Sequence, residues 1–274
     1  MKQPLPFVKM HGLGNDFVVV DARSGATPAH NWPTLAQAMC DRHYGVGADQ
    51  LLLVCDSRRA DVTMRLFNTD GFEAEMCGNG IRCVGKYVYE RGIVRKPQLA
   101  VETLGGVKRL NLLIEHGIVS GAAVAMGVPQ AVWLDEPVII DGVPLRLMSV
   151  NVGNPHAVAV IETPVENFPL ERIGPQVERH PLFPNRTNFE VINVLQRDPP
   201  ALQARVWERS AGLTLACGTG ACAVTVAARL QGLVGNETDV HLPGGTLRIA
   251  WDGEGEVWMT GPATTVFEGV WLCD

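Results

Sequence analysis

Two cysteines of this chain open the same short motif. Cys77 begins a Cys-Gly-Asn-Gly sequence, and Cys217 begins a Cys-Gly-Thr-Gly sequence. The residues that follow, 81–91 and 221–231, each predict a helix that ends at a glycine. A cysteine at such a helix start faces unpaired backbone N–H groups and the positive end of the helix dipole, which favour a thiolate. We therefore predict two thiols with lowered pKa values, each beside a Gly-x-Gly backbone that can bind a carboxylate.

The two motifs belong to a longer internal repeat. Upstream of each lies a Gly-Asn pair followed by an apolar run, which begins at Gly14 in the first half and at Gly153 in the second. Gly14 precedes Cys77 by 63 positions, and Gly153 precedes Cys217 by 64. Two signatures in the same order at nearly the same separation indicate a duplication, and each half has the size of a small domain.

A pair of helix starts of this kind suits one reaction in particular. Removing the proton from the α-carbon of an amino acid places negative charge on its carboxylate, and preorganised N–H groups stabilise that charge as it develops. A thiolate on one face of the carbon removes the proton, and a thiol on the other face delivers a new one. The repeat therefore predicts an amino-acid epimerase that uses Cys77 and Cys217 and needs no cofactor.

The elements around the motifs predict an α/β (α+β) fold of two pseudo-symmetric domains. Short apolar or alternating runs predict strands at 16–21, 51–55, 61–68, 106–115, 157–161, 191–195 and 204–208. In each half we expect a mixed β-sheet or barrel wrapped around a central helix, with the active site in the cleft between the halves. We place the N-terminal domain at 1–118 plus 262–274 and the C-terminal domain at 119–261. The proline-rich stretches 129–144 and 164–184 predict loops and short turns.

Composition and charge exclude several classes of protein. Of the 274 residues, 46% are hydrophobic and 19% are charged, which is enough apolar material for a sizeable core. The formal net charge is -6 and there is no basic tract, so we expect no nucleic-acid partner. No apolar run approaches the ~20 residues that span a bilayer, and the first residues lack a signal-peptide pattern. We therefore expect a cytoplasmic protein without a membrane contact.

Seven cysteines, an odd number in a chain of this length, predict free thiols. The five outside the motif positions are expected to be small core or interface residues: Cys40, Cys55, Cys83, Cys222 and Cys273. Metal binding by a motif cysteine and the next cysteine along its helix has unfavourable spacing and no paired histidine nearby, so we predict no metal. A dinucleotide-binding loop needs Gly-x-Gly-x-x-Gly after a parallel strand, and Gly85 breaks that spacing.

Three segments together resemble diaminopimelate epimerase. They are His11–Phe17, Asn68–Gly80 and Glu208–Gly220, and the resemblance extends over essentially the whole chain. It implies interconversion of LL- and meso-diaminopimelate, on the bacterial and plant route to lysine and peptidoglycan. It also implies two pseudo-symmetric α/β domains, no cofactor and a homodimer. Phe267 departs from the tyrosine that members of the family often have at the dimer contact.

The resemblance also assigns roles to residues. Cys77 and Cys217 match the two catalytic thiols, while His156 and Glu208 match polar residues that support catalysis. The implied substrate-binding positions are Asn15, Gln50, Asn68, Gly78, Asn79, Asn154, Asn188, Glu208, Arg209, Gly218 and Thr219. These residue types suit a long zwitterion, because Arg209 offers a planar fork to a distal carboxylate and the asparagines offer both donors and acceptors.

Two other functions compete with this one. A proline or hydroxyproline racemase shares the fold and the thiol pair, but in that family the first motif reads like Cys-Gly-His, where this chain has Asn79. Arg209 and the asparagines also suit a second charged end, which proline lacks. A thiol redox or sensor protein would instead join Cys77 and Cys217 in a reversible disulfide. Absence of epimerase activity in the fully reduced protein would favour that alternative.

Overall fold

The chain forms two compact units, Met1–Val124 with Gly261–Asp274, and Ala125–Thr260. The residues that a computed structural model describes are 4–25, 30–133, 137–209 and 211–272. Cys273, predicted to be a core or interface residue, lies outside them.

Strands predominate over helices in both units. The elements of the first part of the chain are β1 (Leu5–Gly12), β2 (Asn15–Asp21), α1 (Trp32–Cys40), β3 (Gln50–Cys55), β4 (Val62–Asn68), β5 (Glu73–Ala74), α2 (Gly78–Glu90), β6 (Gln98–Thr103), β7 (Gly106–Glu115) and β8 (Ile118–Gly127). Those that follow are β9 (Gln130–Trp133), β10 (Val138–Ile140), β11 (Val143–Leu145), β12 (Leu147–Asn151), β13 (Pro155–Val160), a 3-10 turn (Val165–Asn167), α3 (Leu170–Glu178), β14 (Asn188–Arg197), β15 (Pro200–Glu208), β16 (Gly212–Leu213), α4 (Gly218–Leu230), β17 (Glu237–Leu242), β18 (Gly245–Ala250), β19 (Val257–Pro262) and β20 (Thr264–Trp271).

Both units have the same strand topology. In the first, β2 is parallel to β3, β3 is antiparallel to β4, and β4 is parallel to β6. The strands β13, β14, β15 and β17 repeat this arrangement. The outer strands match as well, since β1 pairs with both β2 and β20, and β12 pairs with both β13 and β9. The duplication predicted from the sequence is therefore confirmed in the fold.

A largely buried helix lies at the centre of each unit. The helix α2 packs against β1, β2, β3 and β7, and α4 packs against β12, β13, β14, β15, β17 and β18. Every side chain from Ala221 to Ala228 in α4 is fully buried, as expected for a helix whose single charged residue, Arg229, lies in its last turn. In α2 the fully buried Arg82 interrupts the apolar surface. The expectation of a helix wrapped by strands is confirmed in both units.

The stretch 129–144, predicted to be loop, instead contains β9, β10 and the start of β11. Asp141 and Gly142 connect β10 to β11, and both have positive φ angles. An Asp-Gly pair between apolar residues favours this tight hairpin turn, because both positions tolerate the left-handed backbone. The prediction of loops is therefore wrong where β9, β10 and β11 lie, while the turn at Asp141 and Gly142 agrees with it.

The stretch 164–184, predicted to be turns, contains α3 with Pro175 inside it. Leu170, Ile173 and Val177 lie on one face of this helix and pack into the core of the second unit. Burial of those side chains outweighs the penalty of about 3 kcal/mol for proline in a helix interior. The helix α1 was not predicted either, although Asn31 caps its first turn.

Candidate active site

Cys77 caps the first turn of α2. Its backbone is extended, with φ −137° and ψ 118°, and the backbone N–H of Gly80 donates to its sulfur at 3.4 Å. The helix begins at Gly78, earlier than the sequence predicted, because the cysteine side chain takes the place of a Ser, Thr or Asp cap. The sulfur therefore lies at the positive end of the helix dipole.

Asn15, the first residue of β2, faces this sulfur. Its side-chain oxygen lies 3.5 Å from Sγ of Cys77 and accepts a hydrogen bond from Nδ2 of Asn79 at 3.3 Å. Its Nδ2 donates to the carboxylate of Asp49 at 2.8 Å. Because Asp49 only accepts, it fixes which end of the Asn15 amide points to the thiol.

A network of charges holds Asp49 in place. Arg42 donates to Asp49 at 2.7 Å and to Asp16 at 2.8 Å, and Lys9 donates to Asp16 at 2.6 Å. Burial opposes ionisation of Asp16, but the hydrogen bonds from Arg42 and Lys9 outweigh it and lower the pKa of its carboxyl to about 2. The segment before β3 is thus fixed against β2, and Asn15 with it.

Gln50 and Asn68 lie opposite each other on β3 and β4. Nε2 of Gln50 donates to Oδ1 of Asn68 at 2.8 Å. Oε1 of Gln50 is buried and accepts no hydrogen bond from the described part of the chain. A buried amide oxygen in this state favours a ligand that brings a donor, such as an ammonium group.

Cys217 caps α4 as Cys77 caps α2. The backbone N–H of Gly220 donates to its sulfur at 3.3 Å, and Oγ1 of Thr219 lies 3.5 Å from it. Burial, with the negative charges of Glu208 and Glu190, raises the pKa of the Cys217 thiol well above its ordinary value. The lowered pKa predicted from the helix start is therefore wrong for Cys217, because burial and two carboxylates outweigh the first turn of one helix.

Glu208 ends β15 and is largely buried beside this thiol. Burial raises the pKa of its carboxyl, and hydrogen bonds from Oγ1 of Thr214, at 2.5 Å, and from Cys217 oppose that effect. The negative charge of Glu190 acts in the same direction as burial. The carboxylate of Glu208 therefore favours the protonated form of the Cys217 thiol, which in turn donates a hydrogen bond to the carboxylate.

His156 is fully buried in β13 between an acidic and an amide side chain. Its Nδ1 lies 2.7 Å from Oε1 of Glu190, and its Nε2 lies 3.0 Å from Oδ1 of Asn154. Because a carboxylate only accepts, Nδ1 carries a hydrogen. Nδ2 of Asn188 lies 3.5 Å from Nε2 of His156 and donates to the carbonyl of Pro155 at 3.1 Å. These contacts join the starts of β13 and β14.

Arg209 follows the end of β15. Its backbone N–H donates to Oδ1 of Asn188 at 2.7 Å, and Nη1 donates to the carbonyl of Asn185 at 3.0 Å. The side chain is exposed and forms no ion pair with the described residues. Its remaining N–H groups are in a geometry that matches a carboxylate.

The residues predicted for the site fall into one group in each unit. The first group lies where β2 and β3 begin, β4 ends and α2 begins: Asn15, Gln50, Asn68, Cys77, Gly78 and Asn79. The second lies at the matching ends in the other unit: Asn154, His156, Asn188, Glu208, Arg209, Cys217, Gly218 and Thr219. Each group brings a thiol, a helix start and amide side chains to one end of its sheet.

Three polar residues of these regions were not predicted. Glu190 interrupts the apolar run 189–192, which was the one signal available for it. Arg82 is a fully buried charge in α2, and it donates to the carbonyl of Gly78 at 3.1 Å and to Oδ1 of Asn79 at 2.9 Å. Asp49 gave no sequence signal, because only the strand pairing brings it to Asn15.

Four of the described cysteines carry free thiols: Cys40, Cys55, Cys83 and Cys217. Within the described ranges, no three His, Cys, Asp or Glu side chains cluster as ligands of a metal ion would. No helix in that part of the chain is both long and apolar enough to cross a membrane.

The sequence is similar to one family over both units. The profile of the family described as Diaminopimelate epimerase matches residues 7–132 and 148–266. A diaminopimelate epimerase of Moorella thermoacetica is 49% identical over 96% of this chain and 98% of its own. The diaminopimelate epimerase of Acetivibrio thermocellus is 48% identical over 96% of this chain and 97% of its own. That of a Methanococcus maripaludis strain is 47% identical over 97% of this chain and 99% of its own.

Solved structures share the fold at much lower identity. A phenazine biosynthesis protein of the PhzF family from Bacillus anthracis has a TM-score of 0.74 at 16% identity, over 99% of this chain and all of its own. A probable proline racemase from Agrobacterium radiobacter has a TM-score of 0.73, also at 16% identity, over 98% of this chain and 93% of its own. At this identity the likeness shows the fold alone.

Proposed function

This chain belongs to the diaminopimelate epimerase family, and on that premise we propose that it interconverts LL-2,6-diaminopimelate and meso-2,6-diaminopimelate without a cofactor. The observation that carries the proposal is the repeated helix start, at which Cys77 and Cys217 each accept a backbone hydrogen bond. Relatives of the same name, at 48–49% identity over nearly the whole chain, support the substrate.

The proposed reaction is a proton exchange at one α-carbon. One thiolate takes the α-hydrogen as a proton and becomes a thiol, and the electron pair of the broken C–H bond moves onto the carboxylate. The other thiol then gives its proton to the opposite face of the carbon and becomes a thiolate. The configuration is inverted and the two sulfurs exchange protonation states, so nothing is oxidised or reduced. General acid–base catalysis of this kind contributes roughly 10²- to 10⁴-fold to a rate.

The helix starts explain how the developing charge is stabilised. The backbone N–H groups of Gly78, Asn79, Gly218 and Thr219 lie in the first turns of α2 and α4, where helical partners are absent. Dipoles aimed at a carboxylate stabilise it more as it gains charge than in the ground state. We assign these four N–H groups to the reacting carboxylate.

Protonation of Cys217 fits the role of a proton donor. Burial and the charges of Glu208 and Glu190 raise its pKa, so in the ligand-free protein this sulfur holds its hydrogen. An ammonium group of the substrate that pairs with Glu208 would reduce this effect, because it neutralises a negative charge beside the sulfur. Substrate binding therefore favours release of the proton from the Cys217 thiol.

The far end of the substrate requires its own recognition. Arg209 offers an exposed guanidinium without an ion-pair partner among the described residues, which suits the distal carboxylate. Asn68, Asn154 and Asn188 supply side-chain amides for the distal ammonium and carboxylate. Proline has no second charged end, so these residues favour diaminopimelate over proline.

We also propose a homodimer and a reducing, cytoplasmic location. The exposed apolar side chains of β20 and the residue after it support the dimer: Val266, Phe267, Val270 and Leu272. Phe267 packs edge-on against Phe7 at a centroid distance of 6.0 Å while it stays half exposed, so it can contact a second chain as well. The free thiols of Cys40, Cys55, Cys83 and Cys217 support the location.

The deciding experiment follows deuterium from solvent into the substrate. LL-diaminopimelate in deuterated water, with the reduced protein and no pyridoxal phosphate or metal, should yield the meso isomer with deuterium at the inverted α-carbon. Pretreatment with a chelator should leave the rate unchanged. Inversion of proline instead, or no inversion of any amino acid by the fully reduced protein, would refute the proposed function and favour one of the two alternatives.

A further inference from the structure

We propose that Glu190 is a positioning residue of this reaction, which orients His156 and places a negative charge beside the helix start of Cys217. The inference rests on the proposed function, because it assigns Glu190 to the same proton exchange. Glu190 belongs to neither the predicted thiols nor the predicted substrate-binding residues.

Glu190 is an unusual residue for its surroundings. It lies on β14 between Phe189 and Val191, and all three side chains are fully buried. Oε1 contacts Nδ1 of His156 at 2.7 Å, while Oε2 is buried without a hydrogen-bond partner among the described residues. A buried carboxylate with one unsatisfied oxygen destabilises a fold relative to an apolar side chain of similar size. Stability therefore does not account for a glutamate here.

The first unit shows that this fold forms without such a pair. Phe17 of β2 pairs with Gln50 of the parallel strand β3, and His156 of β13 pairs with Asn188 of the parallel strand β14. Phe17 therefore corresponds to His156, and Gln50 corresponds to Asn188. Two residues further along, Leu52 of β3 matches Glu190 of β14. The positions of the buried His156–Glu190 pair are thus filled by the fully buried Phe17 and Leu52 in the first unit.

Two matched glycines place these side chains beneath the two thiols. A Cβ atom on Gly80 would lie 3.3 Å from the methyl groups of Leu52. A Cβ atom on Gly220 would lie 3.0 Å from Oε1 of Glu190 and 3.2 Å from Sγ of Cys217. The same site below each helix start therefore holds a methyl group in one unit and a carboxylate in the other.

This placement gives Glu190 two effects on the reaction. It fixes a hydrogen on Nδ1 of His156, so that Nε2 points to the amides of Asn154 and Asn188. It also adds negative charge near Cys217 and so favours the thiol over the thiolate. Among the described residues of the second unit, the charged or titratable groups that face this sulfur are Glu208 from β15 and Glu190 from β14, with His156 from β13 behind them.

The test compares Glu190→Gln with the wild type in two measurements. The first is the pH midpoint for alkylation of each thiol by iodoacetamide, followed by mass spectrometry of the two cysteine peptides. The second is kcat and KM for LL-diaminopimelate.

We expect the Cys217 midpoint to fall by about one pH unit, with the Cys77 midpoint unchanged. We expect kcat to fall on the order of 10-fold with KM nearly constant, since the residue does not touch substrate. Glu190→Asp, which keeps the charge, should recover much of the Cys217 midpoint.

Glu178→Gln is the matched control, because Glu178 is another buried carboxylate of the second unit whose partners are Trp207 and Arg186. It should leave the Cys217 midpoint unchanged even if it lowers stability.

If Glu190→Gln does not fold, the double variant His156→Phe with Glu190→Leu supplies the apolar pair of the first unit, and its Cys217 midpoint should also fall. An unchanged Cys217 midpoint in a folded Glu190 variant would overturn the inference. Absence of epimerase activity in the wild type would refute the proposed function instead, and the alkylation result would still stand.

Discussion

Glu208 occupies in the second unit the position that Asn68 occupies in the first. Each is the last residue of its strand. The residue before Glu208, Trp207, pairs with Phe189 of β14, and the residue before Asn68, Phe67, pairs with Leu51 at the matching position of β3. An uncharged amide in one half thus corresponds to a carboxylate in the other. Since Arg82 is buried at the start of α2 and Glu190 lies below the start of α4, the duplicated halves differ in charge around their thiols. In the second half, the charges of Glu208 and Glu190 add to burial and raise the pKa of the Cys217 thiol.

Replacing Glu208 by Gln should stabilise the protein at alkaline pH. Burial raises the pKa of this carboxyl above its ordinary value of 4.5, so the folded state resists ionisation. The folded state therefore loses stability as the carboxyl ionises. This loss is absent below about pH 4.5 and is fully present above the raised pKa. Each pKa unit corresponds to about 1.4 kcal/mol. The Tm of Glu208→Gln should therefore exceed that of the wild type at pH 8, with a difference that vanishes toward pH 4.5. Calorimetry across this range checks it, and a difference that does not depend on pH would contradict it.

Cys77→Ala and Cys217→Ala should each lower kcat by roughly 10²- to 10⁴-fold, since each removes one partner of the proton exchange. Rates of isomer interconversion, measured by chiral chromatography, check this. Cys83→Ala and Cys222→Ala are matched controls, because both thiols are fully buried on the same two helices and have no role in the proposed chemistry. Near-wild-type activity in either motif variant, or equal losses in all four, would contradict the assignment.

The thiols and their helix starts could be predicted because the chain carries them in local sequence, twice and at matched spacing. The charge around each thiol could not be predicted, because the pairing of strands distant in sequence brings the charged residues to it. Asp49 reaches Asn15 across β2 and β3, and Glu190 reaches His156 across β13 and β14. The pKa of Cys217 was therefore predicted in the wrong direction, since the helix dipole is visible in the sequence and the burial is not.

Arg209→Lys should raise KM for LL-diaminopimelate by roughly 10- to 100-fold, with a smaller change in kcat. Lysine keeps the charge but loses the planar fork, and a hydrogen bond to a charged group contributes about 1.5–3 kcal/mol. Steady-state kinetics in both directions measure the effect. Arg205→Lys is a control of the same type, because Arg205 donates to backbone carbonyls near the 3-10 turn. A fall in kcat without a change in KM would argue against a distal-carboxylate role for Arg209.

Val266→Asp should weaken the proposed dimer. Val266 is 54% exposed on β20, so a charge there is tolerated in a free chain but is desolvated at an apolar interface. Light scattering after gel filtration should show a shift from dimer to monomer. Ile139→Asp, at a strand position that is 61% exposed in the second unit, should leave the mass unchanged. A monomeric wild type would refute the dimer proposal directly.

Gly220→Ala should be more damaging than Gly80→Ala, although the two glycines hold matching positions in α4 and α2. The new methyl group at 220 would meet Oε1 of Glu190 at 3.0 Å and Sγ of Cys217 at 3.2 Å, and both atoms are held by hydrogen bonds. At position 80 the nearest atoms are the methyl groups of Leu52 at 3.3 Å, which can shift at low energy. Overpacking of this kind destabilises by about 1–3 kcal/mol. Urea unfolding and kcat of both variants check the ranking. Equal losses would show that the carboxylate below Cys217 is as adaptable as a leucine side chain, and would weaken the case for a fixed His156–Glu190 pair.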